Sequence, residues 1–271
     1  MRKILLLLVL VILSGNVPFI ALGQKLPRIQ QTGKRAPVDI KIDGKATEWN
    51  DEFQAYNSSC RIYYTMSNDD ENLYLTVGTS DGYSNEKAIF GITLRIKLLA
   101  EKGNRSKEYI AVAFPPLSEN RKVEPIRLIL HSISLLRVDS TNLAKKKIDS
   151  LRLLANKRMH DTFKEINITG IKEIQEPSIS IYNTEGIKVA AQFNDHMQYT
   201  YELAIPLKYL GPAINKGQKF NYNIKMNGLP EKTPDSPYPP PTLSIEALGQ
   251  DNAYVGYSTD FSGVYTLVRN N

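Results

Sequence analysis

The chain holds one cysteine, Cys60, one tryptophan, Trp49, and three histidines, His131, His160 and His196. A single cysteine forms no internal disulfide, so stability must come from a buried core. The histidines lack any H-x-x-x-H spacing, so no metal site is nominated. No G-x-S-x-G elbow, phosphate loop or dinucleotide fingerprint occurs, and no catalytic residue is nominated either. Charge of one sign is also scarce: 34 Lys and Arg face 28 Asp and Glu. The basic residues are scattered, which argues against a nucleic-acid surface. Their one cluster, Lys145-Lys146-Lys147, falls in a helical pattern and reads as a solvated face.

Long apolar runs are missing beyond the first residues. Arg2 and Lys3 precede the unbroken run Ile4 to Leu13, which Gly15, Asn16 and Pro18 interrupt before Ala21-Leu22-Gly23. This is the layout of a secretory signal peptide over residues 1–23, with the mature chain starting at Gln24. The apolar core is too short for a membrane span, and no second run of spanning length follows. The protein is therefore expected in the periplasm or outside the cell. No cysteine lies near the cleavage site, which argues against lipid acylation there.

Most of the chain reads as β structure. Arg61 to Ser67 and Leu73 to Thr79 are rich in β-branched and aromatic residues around the polar turn Asn68 to Asn72, a first hairpin. Ala88 to Leu99 and Glu108 to Phe114 read as a second, joined through Glu101 to Asn104. Ser178 to Tyr182 and Lys188 to Phe193, around Asn183 to Gly186, read as a third. Further strands are expected over Arg127 to Val138, His196 to Ile205, Phe220 to Asn227 and Val264 to Arg269. Asp139-Ser140-Thr141 offers capping side chains. Ile148, Leu151, Ala155 and Met159 then recur at helical spacing, so a helical insertion is expected over about residues 139–163. Six prolines in 230–241 define an extended surface loop that cannot join a sheet. Gln24 to Pro37 reads as a flexible lead, and residues 38–271 as one domain.

The most informative stretch is Val38 to Asp51, V-D-I-K-I-D-G-K-A-T-E-W-N-D. Asp43-Gly44 is turn chemistry, because glycine tolerates positive φ. Ile42 to Trp49 resembles the opening I-D-G-x-x-x-E-W of family 9 carbohydrate-binding modules and their DOMON-related relatives. Ile205-Pro206-Leu207 with Leu210-Gly211 resembles a second motif of that group. The likeness covers about residues 38–114 and 176–268. It implies a mainly β fold: an antiparallel, immunoglobulin- or jelly-roll-like β-sandwich carrying the helical insertion and proline-rich loop. It also implies non-catalytic binding of a carbohydrate or cell-surface glycan, with Asp43, Gly44 and Trp49 serving the fold. An envelope scaffold or assembly protein without a small ligand is the alternative.

With a single tryptophan, a sugar platform would have to use tyrosine, which has a flat apolar body and a polar tip. Tyr238 in the proline loop, and Tyr254 and Tyr257 in D-N-A-Y-V-G-Y-S-T-D, are the candidate ligand-binding residues. Asn68 to Glu71 lacks calcium-loop spacing and reads as a solvated turn. Haem-binding sandwiches use axial methionine or histidine. Here His196-Met197, Met66 and Met226 read instead as an exposed histidine and core methionines, and no cofactor is expected.

Overall fold

The computed structural model describes residues 25–50, 52–99, 108–116, 122–138, 141–229 and 250–269. Eleven strands run in chain order: β1 Ala55–Asn57, β2 Ile62–Asn68, β3 Asn72–Thr79, β4 Ile92–Lys97, β5 Tyr109–Phe114, β6 Glu165–Thr169, β7 Ser178–Ser180, β8 Lys188–Phe193, β9 Tyr199–Pro206, β10 Phe220–Met226 and β11 Thr259–Tyr265. They form two sheets, β1-β2-β3-β9-β8 and β11-β10-β4-β5-β6-β7, with antiparallel pairing throughout. The sheets face each other across one core, as a β-sandwich. Leu75, Val77, Tyr201 and Leu203 of the first sheet share that core with Leu94, Ile96, Tyr222 and Ile224 of the second. The Tyr64 and Tyr222 hydroxyls meet between the sheets at 3.1 Å, so two buried phenols satisfy each other.

Among the described residues, five helices join the strands: α1 Gly82–Ala88, α2 Glu124–Leu136, α3 Asn142–Thr162, the single turn α4 Pro212–Asn215, and α5 Gln250–Gly256. The expected insertion is α3, capped where Thr141 Oγ1 accepts the Ala144 N–H at 3.2 Å. It covers a sheet edge. Asn156 Nδ2 donates to the Phe193 carbonyl at 2.9 Å, and the Phe193 N–H donates to Asn156 Oδ1 at 2.7 Å. Strand β8, the last of its sheet, thus has part of its open edge occupied by a side-chain amide.

The structure corrects four expectations. Arg127 to Val138 is not a strand but lies largely in α2. Pro125 sits in its first turn, and Ile126, Ile129 and Ile133 bury one face; their helical spacing overrides the β-branched composition. Ser178 to Tyr182 and Lys188 to Phe193 do not pair, because β7 belongs to one sheet and β8 to the other. Asn183 Nδ2 bonds the Ser180 and Ile187 carbonyls at 2.8 and 2.7 Å, so the turn is closed by a side chain rather than a strand ladder. The closing strand expected over Val264 to Arg269 instead runs over Thr259–Tyr265 as β11, whose Gly263 packs on the Tyr222 ring where a Cβ would clash. Residues 25–37, read as a flexible lead, are tied to the first sheet. The Gln30 side chain both donates to Met66 O and accepts from Met66 N–H, at 2.8 and 2.7 Å. Cys60 is fully enclosed.

The outer face of the first sheet carries buried Thr65, Thr76, Thr200 and Glu202. Residues 40–50 and 52–54 lie over this face. There the short helical turn Thr47–Trp49 places Trp49, 7% exposed, against Ala46 and Phe53, with Leu26, Ile40 and Tyr63 around them. This is a satellite cluster apart from the main core. Trp49→Ala is expected to lower stability by about 3 kcal/mol, the scale for emptying a buried aromatic site. Urea unfolding measures it, and an unchanged midpoint would contradict the burial.

Candidate binding groove

The motif Asp43-Gly44 makes a specific contact. Gly44 adopts φ +83°, and the Asp43 and Gly44 N–H groups both donate to Glu202 Oε2, at 3.0 and 2.9 Å. Two successive amides thus cradle a buried carboxylate from β9. Burial pushes the Glu202 pKa up to about 8, even though both amides pull it down. This turn secures residues 40–50 and 52–54 to the sheet.

Two of the three candidate tyrosines, Tyr254 and Tyr257, lie among the described residues. Tyr238 lies outside the described residues. Tyr254 sits on α5, not in a loop, and its ring is occupied. The Arg61 guanidinium lies 4.4 Å and Lys87 Nζ 4.0 Å from the ring centroid, and its hydroxyl donates to Cys60 O at 2.5 Å. It is therefore corrected to a structural residue. Its cation partners are themselves held in place. Arg61 pairs with Asp251 at 2.6 Å. Lys87 is fully buried and donates to Tyr254 O at 2.7 Å and Thr259 Oγ1 at 2.9 Å. Burial pulls the Lys87 pKa down to about 8. Tyr257 follows α5 and is 52% exposed.

A concavity lies elsewhere, between α1, α2 and the turn that leads into β9. Asp81 caps α1: its carboxylate accepts Ser84 N–H at 2.8 Å, and Ser84 Oγ accepts Asp81 N–H at 2.9 Å. Asn85, one turn on, donates to Met197 O at 2.5 Å and accepts Tyr199 N–H at 3.0 Å. Helix α1 is thereby bolted to β9. Helix α2 is fixed from the other side, since Arg127 pairs with Glu86 at 2.7 Å and Glu124 at 3.0 Å. At its C-terminal end, Arg137 donates to His196 O at 3.0 Å.

Between these walls lies a groove of about 700 Å³, lined by Asp81, Tyr83, Glu86, Leu128, Arg137 and Met197 among others. A second hollow of about 250 Å³ shares Asp81, Asn85, Arg137 and Met197 and continues it past Tyr63, His196 and Gln198. The groove combines apolar side chains with carboxylates, a guanidinium and a half-exposed tyrosine. Such a lining can pack C–H faces while bonding hydroxyl groups. Among the described residues, no three His, Cys, Asp or Glu side chains converge as a metal would need. Asp69, read with its neighbours as a turn, accepts the Glu71 and Asn72 N–H groups and the Tyr74 hydroxyl, at 2.8, 2.6 and 2.6 Å. Met66 and Met226 are core residues, while His196 and buried Met197 lie in a turn rather than a strand. No family model matches the chain, and comparisons with curated proteins and with solved structures find no match.

Sequence reasoning missed this groove because it took α2 for a strand. Two local signals point to it: the Asp81…Ser84 capping pair, and the Ile126, Ile129, Ile133 spacing that makes α2 a wall.

Proposed function

We propose that this chain is an exported, non-catalytic binding module for a carbohydrate or cell-surface glycan, bound in the groove between α1 and α2. The observation that carries the reading is the lining of that groove. Tyr83, Leu128 and Met197 offer apolar surface beside Asp81, Glu86 and Arg137. A sugar presents apolar ring faces edged by hydroxyls, and concave sites with a few placed polar groups suit such ligands. Elements held by Asp81, Asn85 and Arg127 would keep the site preorganised, which limits the entropy lost on binding. The signal-like start and the resemblance to family 9 carbohydrate-binding modules support the same reading.

Purified protein screened against soluble and insoluble polysaccharides is the test. Tyr83→Ala and Arg137→Ala are each expected to weaken binding by about 1 kcal/mol or more, without a matching loss of thermal stability. Absence of binding across the panel, or binding untouched by both changes, would sink the assignment. The second reading, an envelope scaffold without a small ligand, is favoured by the exposed leucines of α2 and α3.

A further inference from the structure

We propose that the outward side of the α2–α3 pair docks on a membrane surface of anionic phospholipid. Helix α3 buries Ala144, Ala155 and Met159, the last two within the sandwich core. Its opposite face should then be polar, as on an ordinary surface helix. It is not. Leu143, Leu153 and Leu154 are exposed there, Leu143 at 77%. At 3.6 residues per turn they share one broad arc with Lys146, Lys147 and Lys157. Helix α2 likewise buries Ile126, Ile129 and Ile133, and turns Leu135 outward. The side chains crowd near the turn between the helices: Leu135 is 64%, Val138 91% and Leu143 77% exposed, with Lys145 to Lys147 directly following.

Single exposed leucines are common on soluble proteins, but several on one helical pair, interleaved with lysine, are not a solvation pattern. Charge decides what covers them. Helix α3 holds six basic residues, Lys145, Lys146, Lys147, Arg152, Lys157 and Arg158, against Asp149 and Asp161. Lys157 pairs with Asp161, and Arg152 with Asp195 and Asp149. Lys145, Lys146 and Lys147 have no carboxylate partner among the described residues. A second copy would set these lysines against like charge. A bilayer rich in anionic headgroups takes both features at once, with leucines entering the headgroup boundary and lysines meeting phosphate. Spanning is not implied: among the described residues no helix is long and apolar enough to cross a membrane.

Flotation of the whole protein with phosphatidylglycerol–phosphatidylcholine vesicles, beside pure phosphatidylcholine vesicles, tests the proposal. Binding is expected to the anionic vesicles, and to fall as salt is raised. The pair Leu135→Ser with Leu143→Ser, and the triple Lys145→Glu, Lys146→Glu and Lys147→Glu, should each reduce the bound fraction about tenfold or more while circular dichroism stays unchanged. All five positions are exposed, so folding should survive. Lys208→Glu, Lys216→Glu and Lys219→Glu, a distant charge reversal of equal size, should leave binding intact. No binding to anionic vesicles overturns the proposal. So does an equal loss in both triples, which would mean bulk charge alone. A dimer broken by the leucine changes, without vesicle binding, would assign the surface to a second copy instead. Tyr83→Ala should not alter vesicle binding, so failure here is separable from failure of the glycan reading.

Discussion

Gly44→Val is expected to cost about 2–5 kcal/mol of folding stability, from two sources with a common origin. Gly44 sits at φ +83°, where a β-branched side chain carries strain of about 1–2 kcal/mol. Its missing Cβ faces backbone, not a side chain that can move aside. A Cβ there would lie 3.1 Å from Ala191 C and 3.1 Å from Gln192 N on β8. The turn would have to lift. Lifting it withdraws the two N–H groups from Glu202 Oε2, and a buried acceptor left unmet costs a further roughly 1–3 kcal/mol. Urea unfolding of wild type, Gly44→Ala and Gly44→Val should rank in that order of falling stability. A valine variant as stable as wild type would mean the turn is not seated on β8.

Local chemistry was legible where contacts are local. The β2–β3 hairpin was read from two β-rich runs and a polar turn, and β2 and β3 pair antiparallel from Ile62↔Thr79 to Asn68↔Leu73. Helix α3 was visible from its buried spacing. Where a segment's partner is distant, composition misled. Helix α2 is rich in isoleucine and leucine, and its periodicity was the weaker signal by eye. Strands β7 and β8 look like a hairpin because they are close in sequence, yet each has a better partner, β6 and β9. The candidate site shows the same limit. Tyr254 reads as a loop aromatic, but Cys60, which receives its hydroxyl, is 194 positions away. Asp43-Gly44 reads correctly as a turn, while its purpose depends on Glu202, unremarkable in the strand H-M-Q-Y-T-Y-E-L-A-I. No local pattern announces a carboxylate buried on the outer face of a sheet.

Glu202 should make stability depend on pH in a window that few other groups share. The carboxylate is fully buried on β9, and its Oε1 has no hydrogen-bond partner among the described residues. Burial, with smaller repulsion from Glu48 and Asp43, raises its folded pKa to about 8. In the unfolded chain a glutamate titrates near about 4.3. The folded state therefore holds the proton more tightly. Glu202's favourable contribution is full below about pH 4 and drains away as pH climbs to about 8, by at most about 1.4 kcal/mol per pH unit. Opposite trends lie outside this window. Asp69, held below the usual carboxylate range through bonds from Tyr74 and the turn amides, acts at lower pH. Lys87, depressed by burial to about 8, favours stability as pH rises beyond that value. Glu202→Gln keeps an oxygen for the Asp43 and Gly44 amides and removes the proton. It should match wild type near about pH 5 and exceed it by about 2–4 kcal/mol near about pH 8. Denaturant unfolding of both proteins at several pH values measures this. A constant difference between them across the window would mean that Glu202 is ionised in the folded protein and that the two amides outweigh its burial.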